Sequence, residues 1–160
     1  YKVTGVQTCA LPIYQTLLPF AFATRPIRTV DEAAEAIRSM VVRGAPLIGA
    51  TAAYGICLAL RADASDVALE RAYRLLLATR PTAVNLKWAL DQMMLALRDR
   101  ASGERVAAAY ARAALLCDED VATNAAIGRH GLGIIEAIAR RKQGVVNILT
   151  HCNEIGRAHV

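Results

Sequence analysis

Arg43 and Gly44, followed by Ala-Pro, lie where one predicted helix ends and the next begins. The free N–H groups of a helix start, a glycine that permits close approach and the forked donors of an arginine suit a phosphate group. The alternative is a helix–helix turn with a solvated arginine. Arg80 precedes a proline and another helix start, so it is either a second contact to the anion or a surface residue.

The tripeptide His151-Cys152-Asn153 follows a predicted buried strand. Ligands of open parallel sheets bind at the carboxyl ends of the strands, so a thiol at this place is a candidate reactive group. The alternative is an inert cysteine at a polar strand end. Cys57 and Cys117 lie within predicted helices and are weaker candidates. A zinc site is poorly supported, because no second pair of residues has the spacing of metal ligands.

The elements that must position these residues are mostly helices, as the spacing of apolar residues indicates. The first helix begins at a capping box, Thr29 followed by Glu32. The second is apolar on nearly all sides, which predicts a buried helix whose Gly49 and Gly55 let neighbours approach closely. The predicted helices cover residues 30–42, 46–60, 67–78, 83–100, 104–128 and 132–141, the last two being separated where glycines weaken the helix.

Residues 145–150 form a continuous run rich in β-branched side chains, which is typical of a buried parallel strand. Because one buried strand cannot stand alone, the predicted fold is mostly α, with a helical N-terminal domain plus the first strand of a truncated Rossmann-like α/β domain. We place the helical domain at residues 14–142 and the start of the α/β domain at residues 143–153.

The composition of the 160 residues excludes several classes of protein. Hydrophobic residues make up 55% and charged residues 21%, which excludes a disordered tail or a low-complexity linker. The net charge of +5 includes no basic run that would mark a nucleic-acid surface. The apolar stretch at residues 46–60 is short for a bilayer and fits a core helix better. With no secretory signal, the four cysteines are expected to be reduced in a cytoplasmic protein.

The residues at the two ends of the sequence do not match the pattern of the residues between them. Residues 1–13 and 154–160 resemble translations of short-read sequencing adapters joined in frame to a gene fragment, so we interpret them as artefacts; the alternative is natural but unusual termini. Cys9, Arg157 and His159 are therefore not candidate site residues, and we expect the gene to continue on both sides.

Residues 15–153 resemble the methylthioribose-1-phosphate isomerase family. The resemblance is carried, in order, by QTLLP at residues 15–19, RGAP and its flanks within residues 29–55, RPTAVNL at 80–86, DEDVATNAAIGRHG at 118–131 and NILTHCN at 147–153. The family has Asp where this chain has Tyr14 and Ala where it has Glu154, and both departures fall on the codons that would join insert to adapter.

The resemblance implies an aldose–ketose isomerase of methionine salvage that converts 5-methylthioribose 1-phosphate into 5-methylthioribulose 1-phosphate. It implies Arg43, Gly44, Ala45 and Arg80 as substrate-binding residues and Cys152 as the catalytic cysteine. It further implies a cytoplasmic homodimer that uses no metal or other cofactor and binds neither nucleic acid nor membrane. The family's catalytic Asp belongs to the C-terminal domain, so we expect this chain alone to be inactive.

Two other functions stay open. A ribose-1,5-bisphosphate isomerase would share this geometry, with a second phosphate in place of the methylthio group. A non-catalytic regulatory subunit similar to the α subunit of initiation factor 2B would share the fold, although the retained RGAP, RPTAVNL and HCN motifs argue against it.

Overall fold

The computed structural model describes residues 14–142 and 144–149, and these residues are mostly helical. The chain divides into two compact units, Tyr1–Cys117 and Asp118–Val160, which are described separately below. The elements are a short 3-10 helix at Gln15–Leu17 and five α-helices: α1 (Val30–Arg38), α2 (Ala45–Ala62), α3 (Asp66–Leu77), α4 (Val84–Leu97) and α5 (Ser102–Lys142).

Side-chain caps fix the starts of α1 and α3. The Glu32 N–H donates to Thr29 Oγ1 at 3.1 Å, which confirms the predicted capping box, although the Glu32 carboxylate accepts from the Arg28 N–H and not from the N–H of Thr29. The Ala68 N–H donates to Ser65 Oγ at 3.2 Å at the start of α3. These short-range polar contacts were readable from the sequence because donor and acceptor lie three residues apart.

The first helix ends earlier than predicted, at Arg38 instead of residue 42. Met40 adopts a positive φ of 57°, which turns the chain out of the helix. The Val42 N–H then donates to the Ala36 carbonyl at 3.2 Å, so the end of the helix is closed by a backbone hydrogen bond. Apolar spacing alone could not reveal this end, because Val41 and Val42 are buried as a continuing helix would have made them.

The helix α2 forms the centre of the first unit and packs against α1, α3 and α4. A Cβ atom at Gly55 would lie 3.1 Å from the Leu76 methyl groups and 3.2 Å from Ala33 Cβ, so the predicted close approach is confirmed. By length and composition α2 is the one helix of the described chain that is able to cross a membrane, but 61% of its residues are buried within the protein. It is a core helix, as expected.

The buried side chain of Arg105, in the first turn of α5, donates hydrogen bonds to groups at the end of α4 and at the start of α3. Its guanidinium donates to the carbonyl of Leu97 at 3.2 Å, to that of Ala64 at 2.7 Å and to the Asp66 carboxylate at 2.6 Å. A further bond of 3.0 Å reaches the Arg100 carbonyl. The carbonyls that follow α4 have no partners within their own helix, so Arg105 supplies the donors that a helix end lacks.

The second unit contains the later part of α5 and residues 144–149. The predicted break before residue 132 is wrong, because α5 runs without interruption from Ser102 to Lys142. A glycine inside a helix costs about 1 kcal/mol, which weakens a helix without ending it. Residues 144–149 form no strand, and Leu149 is 97% exposed. A buried strand needs a neighbouring strand, so the predicted first strand is absent from the described part of this segment, and the domain beyond it stays a prediction.

We predict that Arg105→Met lowers the free energy of unfolding by about 3 kcal/mol, because the carbonyls of Ala64 and Arg100 lose the donor that the guanidinium supplies, while the apolar stem of the side chain is kept. Urea unfolding followed by the fluorescence of Trp88, the single tryptophan, measures this change. Asp66→Asn serves as the control, with a loss below about 1 kcal/mol, because the Asp66 side chain is 85% exposed. Equal losses in the two variants would contradict the role given to the carbonyl contacts.

We also predict that the chain self-associates through the exposed apolar residues Val145, Ile148 and Leu149. Replacing Ile148 and Leu149 together by lysine removes this apolar surface and adds charge. Dynamic light scattering should then show aggregates for the unchanged chain and a smaller particle for the double variant. A monodisperse unchanged chain would refute the prediction.

Candidate functional site

The turn between α1 and α2 presents Arg43 to solvent, at the predicted place. Met40 and Gly44 have positive φ angles of 57° and 89°, so the backbone bends on both sides of Arg43. Gly44 is the N-cap residue of α2, and Ala45 begins the helix. The φ of Gly44 lies in a region that residues with a Cβ atom rarely adopt, which explains a glycine at this position.

Gln15 ties the N-terminal segment to this turn. Its backbone N–H donates to the Val41 carbonyl at 3.0 Å, and its side-chain Nε2 donates to the Arg43 carbonyl at 3.3 Å. The sequence analysis included Gln15 in the QTLLP motif but not among the candidate site residues. No local pattern reveals such a contact, because the partners lie 28 residues apart.

The first turns of α2 and α4 lie side by side. A Cβ atom at Gly49 would lie 3.1 Å from the Asn85 carbonyl oxygen and 3.2 Å from Ala89 Cβ, so a glycine allows this close approach without a shift of either backbone. Gly49 is one turn inside α2, and Asn85 belongs to the first turn of α4. The RGAP and RPTAVNL segments, which are distant in the sequence, are therefore neighbours in the fold.

These two helix starts have neither a side-chain cap nor an acidic residue in the first turn. By contrast, α1 is capped by Thr29 and α3 by Ser65, and both have acidic residues in the first turn. Apart from Pro46, which has no N–H, the first residues of α2 and α4 thus keep the partial positive charge of a helix start on their N–H groups. Two adjacent starts of this kind attract an anion more strongly than one.

An arginine precedes each of these uncapped helix starts. Arg43 is exposed and Arg80 is half-buried, in a turn closed by a bond of 3.0 Å from the Ala83 N–H to the Arg80 carbonyl. Within residues 14–142 and 144–149, neither guanidinium has a hydrogen bond or an ion pair with another side chain. Two arginines without side-chain partners in the described residues, beside two uncapped helix starts, supply the donors and positive charge that suit a phosphate or another small dianion.

Three titratable groups with shifted pKa values form a network on α3 and α4, and one of them, Lys87, belongs to the first turn of α4. Tyr73 donates to the Asp91 carboxylate at 2.8 Å, and Lys87 donates to it at 2.6 Å. The Lys87 ammonium lowers the pKa of Asp91, and the bond to Asp91 raises the pKa values of Tyr73 and Lys87. Burial raises the pKa of the Cys57 thiol, which keeps it protonated and unreactive, as expected for a helix cysteine.

The predicted catalytic cysteine, Cys152, and its neighbour His151 lie outside the described residues. His130, which the sequence places near a helix end, lies inside α5 and is exposed. No group of three His, Cys, Asp or Glu side chains in the described ranges is arranged to hold a metal ion. The candidate anion-binding residues within the described ranges are thus Arg43, Gly44 and Arg80, with the starts of α2 and α4.

Comparison with known proteins gives consistent results. The profile described as Initiation factor 2 subunit family matches residues 41–155. Methylthioribose-1-phosphate isomerase of Paramagnetospirillum magneticum (strain ATCC 700264 / AMB-1) is 61% identical over 141 residues, which are 88% of this chain and 39% of that protein. The chain thus spans about two-fifths of the length of the curated relatives it matches.

Two solved structures share the fold. The crystal structure of 5-methylthioribose 1-phosphate isomerase from Pyrococcus horikoshii OT3 matches with a TM-score of 0.75 and 35% identity, covering 82% of this chain and 40% of that one. Translation initiation factor eIF-2B, subunit delta, from A. fulgidus matches with a TM-score of 0.64 and 37% identity, covering 69% of this chain and 35% of that one. The helical arrangement described above is thus similar to that of both proteins.

Proposed function

The chain belongs to the initiation factor 2 subunit family, and we propose that it is part of an aldose–ketose isomerase that converts 5-methylthioribose 1-phosphate into 5-methylthioribulose 1-phosphate. The observation that carries this proposal is the pair of adjacent, uncapped helix starts, each preceded by an arginine without a partner in the described chain. Similarity to the isomerases of P. magneticum and P. horikoshii supports the choice of substrate.

The described residues suit the phosphate end of this substrate. The N–H groups at the starts of α2 and α4 and the guanidinium groups of Arg43 and Arg80 supply donors and positive charge without a metal ion. Binding the phosphate ester on C1 fixes the carbon at which the reaction occurs, which raises the effective concentration of any catalytic group beside it. In this proposal, the helical domain holds the substrate by its phosphate.

The chemistry requires groups beyond this phosphate site. Because C1 carries the phosphate ester, no free aldehyde exists, and the ring must open before the isomerisation. In the ring opening, the bond from C1 to the ring oxygen breaks and the ring oxygen takes a proton. In the isomerisation, the hydrogen on C2 moves to C1, and C2 becomes the carbonyl carbon as its hydroxyl loses a proton. An acid is needed at the ring oxygen, and a group that assists the hydrogen transfer is needed at C1 and C2.

We assign the assistance of the hydrogen transfer at C1 and C2 to Cys152, which lies within the region matched by the family profile. We assign protonation of the ring oxygen to a carboxylic acid in a C-terminal Rossmann-like domain, whose first strand would end just before Cys152. The proposal includes a cytoplasmic homodimer as the working form of the whole enzyme.

A regulatory, non-catalytic role is the second candidate, because the chain is also similar to the delta subunit of initiation factor eIF-2B from A. fulgidus. An assay of the intact enzyme with 5-methylthioribose 1-phosphate and with ribose 1,5-bisphosphate separates the possibilities. Turnover of 5-methylthioribose 1-phosphate supports the proposal. Turnover of ribose 1,5-bisphosphate alone would show that this compound is the substrate instead, and turnover of neither compound favours the regulatory role.

We predict that Arg43→Ala and Arg80→Ala each weaken substrate binding in the intact enzyme by about 1.5–3 kcal/mol, because a charged hydrogen bond to the phosphate is lost. This corresponds to about one to two decades in Kd, measured by calorimetry. Arg71→Ala, which removes an exposed arginine of α3, is the matched control and should bind as the unchanged enzyme does. Unchanged binding in both test variants would show that the phosphate binds elsewhere.

We predict that Cys152→Ala abolishes turnover in the intact enzyme and leaves Kd for the substrate nearly unchanged, because the thiol acts at C1 and C2 and not at the phosphate. Single-turnover kinetics and calorimetry measure the two effects separately. Cys117→Ala, at a half-buried cysteine of α5, is the control and should retain its kcat. Full activity of Cys152→Ala would remove the cysteine from the mechanism.

A further inference from the structure

We propose that Gln15 is a positioning residue for the phosphate site: it holds the peptide group between Arg43 and Gly44 so that the Gly44 N–H faces the bound anion. This inference deepens the proposed function and depends on its phosphate site. It concerns the QTLLP motif, to which the proposed chemistry gives no role.

The contacts of Gln15 converge on one short turn. Its backbone N–H donates a hydrogen bond to the Val41 carbonyl at 3.0 Å, and its side-chain amide donates one to the Arg43 carbonyl at 3.3 Å. The two accepting carbonyls lie on either side of Val42, whose side chain is fully buried. The turn is therefore held both by the burial of Val42 in the core and by the two hydrogen bonds from Gln15.

The hydrogen bond from Gln15 to the Arg43 carbonyl also fixes the direction of the Gly44 N–H, because both groups belong to the same peptide bond. In a planar trans peptide the carbonyl and the N–H point in opposite directions. When Gln15 binds the carbonyl of Arg43, the N–H of Gly44 must point to the other side of the turn. Within the part of the chain that the structure describes, this N–H donates to no backbone or side-chain acceptor, so it is available to a ligand at the start of α2.

The Arg43 carbonyl needs such a restraint, because no backbone N–H of the described residues donates to it. Positive φ angles at Met40 and Gly44 take residues 40–44 out of both flanking helices, so no helical hydrogen bond fixes the Arg43 carbonyl. A glycine at position 44 also gives the peptide more rotational freedom than any other residue would. Without Gln15, the Arg43–Gly44 peptide would rotate, and the N–H would lose its direction.

The experiment compares Gln15→Ala and Gln15→Glu with Thr16→Ala in the intact enzyme that contains this segment. Thr16 is the exposed neighbour of Gln15 and serves as the control. Glutamate keeps the shape of glutamine but removes the amide donor and places a negative oxygen against the Arg43 carbonyl. For each protein, Kd for inorganic phosphate is measured by calorimetry, KM and kcat for 5-methylthioribose 1-phosphate by assay, and Tm by thermal unfolding.

We expect Kd for phosphate and KM for the substrate to rise about 3- to 10-fold in Gln15→Ala, the range that corresponds to one hydrogen bond. The rise should be larger in Gln15→Glu, while kcat changes little and Thr16→Ala matches the unchanged enzyme. A lower Tm with unchanged Kd and KM would show a merely structural role and overturn the proposal, as would unchanged values throughout.

The outcomes also separate this inference from the proposed function. If the unchanged enzyme isomerises the substrate but the Gln15 variants bind phosphate normally, the positioning role fails and the proposed function stands. If the unchanged enzyme binds phosphate without isomerising the substrate, and the Gln15 variants bind it more weakly, the positioning role stands and the proposed function fails. Absence of both phosphate binding and turnover in the unchanged enzyme would overturn both.

Discussion

The close approach of α2 and α4 at Gly49 is the contact on which the candidate site depends. A Cβ atom there would lie 3.1 Å from the Asn85 carbonyl, so a larger residue would require the two backbones to shift by a few tenths of an ångström. Such a shift would also move the two uncapped helix starts relative to each other, together with the arginines that precede them. A packing requirement in the core and the geometry of a binding site are thus met by the same glycine.

The two ends of α4 show how the fold treats backbone groups that a helix cannot satisfy. Beyond its C-terminal end, buried Arg105 binds the carbonyls of Leu97 and Arg100, and the same guanidinium reaches Ala64 before α3. At the N-terminal end, no side chain of the described residues caps the helix. A buried arginine thus binds the carbonyls at one end of α4, while the other end has no side-chain cap among the described residues.

Much of the helical architecture could be predicted, because it depends on contacts between residues that are near in sequence. The caps at Thr29 and Ser65 and the buried faces around Gly55 follow from local spacing. The continuous α5 was missed because glycines were given more weight than a long helix requires. Arg105 and Gln15 escaped prediction for a different reason: their partners lie up to 41 and 28 residues away, and no local pattern encodes such contacts.

The uncapped starts of α2 and α4 also have a thermodynamic consequence for the protein without ligand. An N-cap side chain typically contributes about 1 kcal/mol relative to alanine, the residue at the start of α4, and only a few tenths relative to glycine, the residue at the start of α2, so the domain without ligand stays below the stability that capped helix starts would give. A ligand that binds only the folded form adds stability that grows with the logarithm of its concentration, about 2.7 kcal/mol at a hundredfold excess over its Kd. In a cell, the concentration of the substrate would then set both the occupancy of the site and the resistance of the domain to unfolding and proteolysis.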